Sequence, residues 1–204
     1  MIKLGMVCFT IALLAMSMYS PAAAKLGPQS SCNLTEANSP NIRGIRLGLS
    51  TQQLLAFFPG KTETQNINDA LESARAKHLE TVSLGLDPES QSSKDRFKGI
   101  GSLGVTLYRG RLIDFSAGYY GASFTSVNDW IAKLSEAYHL PGPPEWAAGP
   151  DETPNKVLKC NGFEVEAAVE GGGGSIRVRD TGYTREIEDR ANTEAERKRR
   201  EFKP

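Results

Sequence analysis

The chain has 204 residues, 24 basic and 24 acidic side chains, and 39% hydrophobic residues. That balance excludes an overall field that would gather nucleic acid or an anionic membrane, so no nucleic-acid partner is expected. Past the first residues no apolar run reaches the about 20 residues that cross a bilayer, so no transmembrane segment is expected in the mature chain.

The N-terminus combines Lys3, an apolar run from Phe9 to Met16, and the small residues Ala22, Ala23 and Ala24. These are the parts of a cleavable export signal over residues 1–24, which predicts an exported protein, periplasmic or secreted. Cys8 lies before most of the apolar run and Cys32 well past it, so neither is placed as a lipid-anchor cysteine. Cys32 and Cys160 remain after cleavage, and in an oxidising compartment they are expected to form one disulfide.

Residues 25–41 are rich in Pro, Ser, Asn and Gly and read as an extended lead-in, pinned only at Cys32. The triplet Asn33-Leu34-Thr35 fits a glycosylation acceptor, a pattern common by chance and relevant only in a eukaryotic source. The main α+β domain is expected over 42–182. Ser50 and Gln53 form a capping-box signature, with Leu54, Leu55, Phe57 and Phe58 as the buried face of a first helix that Pro59-Gly60 stops. A second helix is expected from Asn68 to Leu79, then a strand over Thr81–Leu86 and a polar loop.

Alternation of apolar residues predicts a hairpin over Ile100–Tyr119. A two-residue loop at Arg109-Gly110 would put Val105 opposite Asp114 and mix core with solvent. The expected loop is therefore Tyr108-Arg109-Gly110, pairing Val105 with Ile113 and Leu103 with Phe115. A capped helix follows at Ser126, with Asp129 in the capping-box position and Val127, Trp130, Ile131, Leu134 and Tyr138 on one face. After the connection Pro141-Gly142-Pro143-Pro144-Glu145-Trp146, three strands are expected. Asn161-Gly162 is a two-residue turn that sets Leu158 opposite Val165 and Lys159 opposite Glu164, with Cys160 inward. The loop Gly171–Gly174 is expected to pair Val169 with Ile176, Ala167 with Val178 and Glu166 with Arg179.

Residues 183–204 read as a solvated, charged C-terminal helix, with Glu186/Arg190, Glu194/Lys198 and Glu196/Arg200 at i, i+4 spacing. Its Arg197-Lys198-Arg199-Arg200 run is interleaved with glutamates, which cuts any field it could offer a partner. The expected fold class is thus α+β: short capped helices packed on an antiparallel sheet of hairpins. Ser50, Gln53, Leu54, Leu55, Ala56 and Phe58 before Pro59-Gly60 line up with Ser126, Asp129, Trp130, Ile131, Ala132 and Leu134 before Pro141-Gly142. This suggests two α-then-β repeats, 42–120 and 121–182; two ordinary capped helices would give the same pattern.

The Gly48-Leu49-Ser50 lead into a short helix, the Pro-Gly stop and the meander resemble the small outer-membrane lipoproteins that accompany the β-barrel assembly machinery. Doubled, the pattern resembles the β-lactamase inhibitor proteins. The resemblance covers residues 44–60 and 124–180 and implies a binding or assembly role; the chain lacks the lipid-anchor cysteine of the first family.

No residue set adds up to a catalytic, cofactor or metal site. Gly99, Gly101 and Gly104 spell GxGxxG, but a strand follows where a dinucleotide site needs a helix N-terminus. His78 and His139 have no second ligand or nucleophile at a useful spacing, and His139 falls at a helix end. Asp114, Glu164 and Glu166 could make a carboxylate pair, but their expected registers put them on solvated faces. The expected function is a non-enzymatic exported binding or assembly protein with a protein partner, the alternative being an uncharacterised extracytoplasmic hydrolase. Its candidate binding residues are Trp146, Pro143 and Pro144, where a stiff spacer presents a large ring; the other reading has Trp146 covering the open end of the core.

Overall fold

The computed structural model describes residues 32–121, 123–149 and 155–202, so the export-signal reading lies outside the described residues. The lead-in is tied down beyond its cysteine. Cys32 is bonded to Cys160 across 128 residues, with 4.8 Å between the Cα atoms. Asn161 N donates to Leu34 O at 3.1 Å, Thr35 bridges Asn161 in parallel, and Glu36 accepts from Arg111. Past it, Ile42, Ile45, Leu47 and Leu49 are buried, so this stretch is part of the core.

Helix α1 spans Thr51–Leu55 and has the full capping box: Ser50 Oγ accepts from Gln53 N, and Gln53 Oε1 from Ser50 N. Leu54 and Phe58 are fully buried, Phe58 stacking on Phe97 at 5.2 Å, while Leu55 and Phe57 are only partly buried. Helix α2 spans Lys61–Ala76, seven residues ahead of the expected start at Asn68 and three short of Leu79. Its first turns are polar and bury nothing before Ile67, so no apolar period marks them in the sequence.

Strands β1 Thr81–Leu86, β2 Ile100–Tyr108 and β3 Arg111–Tyr119 form one antiparallel meander. Helix α3, Val127–Tyr138, is capped by Ser126 Oγ accepting from Asp129 N, and ends in His139 at φ 56°. Then come β4 Ala147–Ala148, β5 Asn155–Lys159, β6 Phe163–Glu170, β7 Gly173–Asp180 and helix α4 Thr181–Glu201. All strands share one antiparallel sheet in the order β1-β2-β3-β7-β6-β5-β4. Its inner face carries Leu103, Val105, Phe115, Ala117, Ile176, Val178, Val165 and Leu158 under α2 and α3. Trp130 lies so close over β7 that a Cβ on Gly174 would come within 2.7 Å of its ring, which is why only glycine fits there.

Two turn expectations are corrected. The hairpin loop is Arg109-Gly110 alone, with Tyr108 opposite Arg111 and both turn residues at positive φ, 51° and 80°. Parity is restored by a bulge at Ile113: Thr106 faces Asp114 but Leu107 faces Leu112, so Val105 meets Phe115 and Leu103 meets Ala117. The second corrected loop is Gly171-Gly172, at φ 58° and 84°, pairing Ala167 with Ile176, Glu166 with Arg177 and Val169 with Gly174. Two glycines take the left-handed pair of a tight hairpin turn without steric cost, so the longer loop is not needed. The Asn161-Gly162 register stands as expected: Leu158 faces Val165 and Lys159 faces Glu164.

Helix α4 docks only by its beginning. Asp180 Oδ1 accepts from Gly182 N and Tyr183 N, the Tyr183 ring lies 5.7 Å from that of Tyr108, and Tyr108 Oη donates to Glu186 at 3.1 Å. Arg190 reaches Glu80 at 2.9 Å, and beyond it every described residue is exposed, Phe202 to 76%. The expected i, i+4 pairs all form: Glu186–Arg190, Glu194–Lys198 and Glu196–Arg200. Deleting residues 191–204 is therefore expected to leave the melting temperature unchanged, whereas truncation after Thr184 removes the Glu186 and Arg190 ties. Calorimetry should show the second loss as a melting temperature lower by a few degrees.

Candidate functional site

Because side chains alternate along a strand, the residues between the core rows form a second face; the start of α4 covers its Tyr108 end, where Tyr183 and Glu186 pack on Tyr108, and the rows beyond that end are open. Its rows run straight across the sheet. One reads Ser83, Thr106, Asp114, Arg179, Glu164, Lys159; the next Gly85, Gly104, Ser116, Arg177, Glu166, Val157. A third reads Ser102, Gly118, Ser175, Ala168, Asn155. Strands β1 and β2 and the Ser116–Gly118 end of β3 carry mostly hydroxyls and bare backbone, while from Asp114 of β3 through Arg179 and Glu164 to Lys159 runs a ladder of alternating charge.

The bulge at Ile113 places the central carboxylate. Without it, the two-residue turn would set Asp114 opposite Val105, on the core side; with it, Asp114 faces Thr106 on the open side. There Asp114 accepts from Arg177 Nε at 3.0 Å and Nη2 at 2.6 Å, and from Arg179 Nε at 3.2 Å. Arg179 Nη1 continues to Glu164 at 3.1 Å, and Asn155 Nδ2 donates to Glu166 at 2.6 Å. The hydrogen bonds it donates to Asp114 raise the Arg177 pKa above its ordinary value. Asp114 is 8% exposed, which corrects the expectation that it lies on a solvated face; its partners, not water, stabilise its charge.

A concavity of 690 Å³ opens over this face, floored by Ser83, Gly85, Ser102, Gly104, Ser116 and Gly118 and closed on one side by Arg177. Asp114 and Glu166 also line it. Two carboxylates in a concavity suggest hydrolysis, but a general acid must hold a proton it can release. Asp114 is forked by two guanidiniums and Glu166 is held by an amide, while His78 and His139 lie after the ends of α2 and α3. Among the described residues no three His, Cys, Asp or Glu side chains converge as metal ligands. What this face can offer is hydroxyl donors, open peptide planes and one half-exposed guanidinium.

Gly99, Gly101 and Gly104 do not cradle phosphate: β2 begins at Ile100, and the Tyr120 ring lies over Gly101. Trp146 is 4% exposed and its Nε1 donates to Pro141 O at 2.9 Å, so it covers the core end. Pro143 and Pro144 open the turn Pro143–Glu145 beside α3, with Pro144 exposed. The open-face residues were missed, although the signal is visible: Ser or Gly recurs every second residue at 83 and 85, 102 and 104, and 116 and 118.

Replacing Trp146 with Ala is expected to cost about 3 kcal/mol or more, as for other buried aromatics, read as a lower urea midpoint. Asp114→Asn should cost about 2 kcal/mol, since it leaves two guanidiniums without their shared counter-charge. Asp114→Asn should also shift the amide resonances of β7, which Trp146→Ala leaves in place.

Compared with protein-family models, curated proteins and solved structures, the chain matches none, and the reading of its function rests on the geometry of its own open face.

Proposed function

We propose that this is an exported, non-enzymatic binding or assembly protein that recognises a protein partner through the open face of its sheet. One observation carries the reading: Gly85, Gly104 and Gly118 stand inside strands on that face without the positive φ that calls for glycine, and a Cβ at Gly85 would meet nothing within 4 Å, while at Gly104 and Gly118 it would meet the side chains of Ser116 and Ser102 across the sheet. Glycine weakens a strand, and where the backbone does not demand it, it marks close approach by something else. An ordinary solvated sheet face carries long charged or β-branched side chains; here the part towards the β1 edge is nearly bare.

The disulfide, and the lack among described residues of a helix long and apolar enough to cross a membrane, are consistent with a periplasmic or secreted location. The resemblance to assembly lipoproteins and β-lactamase inhibitor proteins points to the same class of role. In this reading the halves 42–120 and 121–182 are repeats. The strand order supports that, since the last strands of the two meanders, β3 and β7, lie side by side. The hydrolase alternative would depend on Asp114 and Glu166, which are engaged as described.

Two substitutions separate binding from folding. A Cβ at Gly85 would meet nothing within 4 Å, so Gly85→Val should keep or slightly raise the melting temperature. Ser116→Tyr, opposite Gly104, fills the concavity. In a crosslinking experiment on the exported fraction, both variants should lose the partner that the native protein captures. A partner retained by both, with melting unchanged, removes this face as the binding site.

A further inference from the structure

The sheet has two edges, and they are unlike. At one end β4 is two residues long. At the other, β1 is six residues long and pairs with β2 at every position without a bulge. Its sequence, Thr81-Val82-Ser83-Leu84-Gly85-Leu86, contains no charge and no proline. Proteins blunt exposed edges with lysines, prolines, bulges or short strands, and β1 has none of these.

The polarity of that edge follows from one bond. Arg109 N donates to Glu80 O at 2.8 Å, and the β1–β2 register sets these residues opposite each other, so theirs is a hydrogen-bonded pair. Such pairs alternate along an antiparallel ladder. Val82, Leu84 and Leu86 therefore turn their amides towards β2, while Thr81, Ser83 and Gly85 turn N–H and C=O outwards, where no described backbone group meets them. Beside the start of this edge is a groove of 360 Å³ between α2 and β1, with an apolar lining of Leu71, Ala74, Leu79 and Val82, and Leu79 is 57% exposed. Arg75 and Arg109 also line it. Arg109 and Arg190 share the Glu80 carboxylate at 2.6 and 2.9 Å, and Arg75 has no partner among the described residues, so the mouth is cationic.

We propose that β1 takes an extended acidic segment of a partner protein as an eighth, antiparallel strand, with an apolar side chain in the α2–β1 groove and a carboxylate facing Arg75. Main-chain bonds to Thr81, Ser83 and Gly85 supply affinity, and the groove and cationic mouth supply selection. A second copy fits less well: pairing all six residues two-fold sets Glu80 opposite Asp87 of its mate at both ends. The inference does not depend on the open-face reading, since it uses the edge amides and the other face of β1.

The test uses the mature, disulfide-bonded protein and a peptide of about nine residues, alternating valine and threonine and ending in two glutamates, against its counterpart ending in two lysines. Amide hydrogen exchange followed by NMR should show Thr81, Ser83 and Gly85 slowed at least about tenfold by the glutamate peptide, with Val82, Leu84 and Leu86 already slow in the free protein. The glutamate peptide should bind about tenfold more tightly than the lysine peptide, and Arg75→Glu should abolish or invert that preference. Ser83→Pro removes an outward N–H without touching the β1–β2 ladder and should abolish binding; if that variant does not fold, the Arg75→Glu inversion decides. Three outcomes overturn the proposal: no slowing with either peptide, slowing without charge preference, or slowing of the same amides by self-association as the protein is concentrated.

Discussion

The pairing of β3 with β7 is the contact on which the rest of the structure depends. Each half of the chain makes an antiparallel meander from local hairpins, and only the ladder from Asp114–Arg179 to Gly118–Ser175 joins the two into one sheet. It spans about sixty residues of sequence, so its register cannot be set by a turn. The inner face sets it through Phe115 against Val178 and Ala117 against Ile176. The outer face sets it again, because Asp114 meets Arg177 and Arg179 only in this alignment, and a slip by one residue would turn those charges into the core. Breaking a buried ion pair costs more than forming it contributes, so the Asp114 cluster acts more as a selector of register than as a source of stability.

The same logic explains the bulge at Ile113. A tight two-residue turn at Arg109-Gly110 matches the strand twist, but by parity alone it would send Asp114 inward. One extra residue in β3 satisfies both demands. Leu112 and Ile113 are both buried, and from Asp114 onward the strand is in phase with β7. Local turn preference and long-range pairing conflict here by one residue, and the bulge absorbs the difference.

How much of this was legible follows the range of the interactions. The capping box at Ser50, the N-cap at Ser126 and the Asn161-Gly162 turn are local, and the sequence states them directly. The loops at Arg109-Gly110 and Gly171-Gly172 were misread because alternation fixes which residues share a face, not how many residues a turn takes. A bulge or a shift by two leaves the faces intact. The polar start of α2 was missed for lack of an apolar signature, and the burial of Asp114 for lack of any sign of β7 beside it. Trp146 was legible as a large ring after a stiff spacer, but its direction is set by the Pro141 carbonyl and the core.

The distribution of side chains on the open face follows from the topology. The strands that must recognise each other across the chain, β3 and β7, meet through Asp114 and its two arginines, and Arg179 extends the ladder to Glu164 of the hairpin neighbour β6. Strands β1 and β2 are joined to β3 by chain-local connections and need no charged selector, and they are the ones that carry Ser83, Gly85, Ser102 and Gly104. Sequence that register does not constrain is free for other use, and here it is used for small residues in mid-strand and an unblunted edge, both of which reduce stability or invite association. A fold selected only for its own stability would place a β-branched residue at 85, where a Cβ meets nothing, and a lysine in β1. Both departures fall on the same end of the sheet, as expected where the constraint comes from a second molecule.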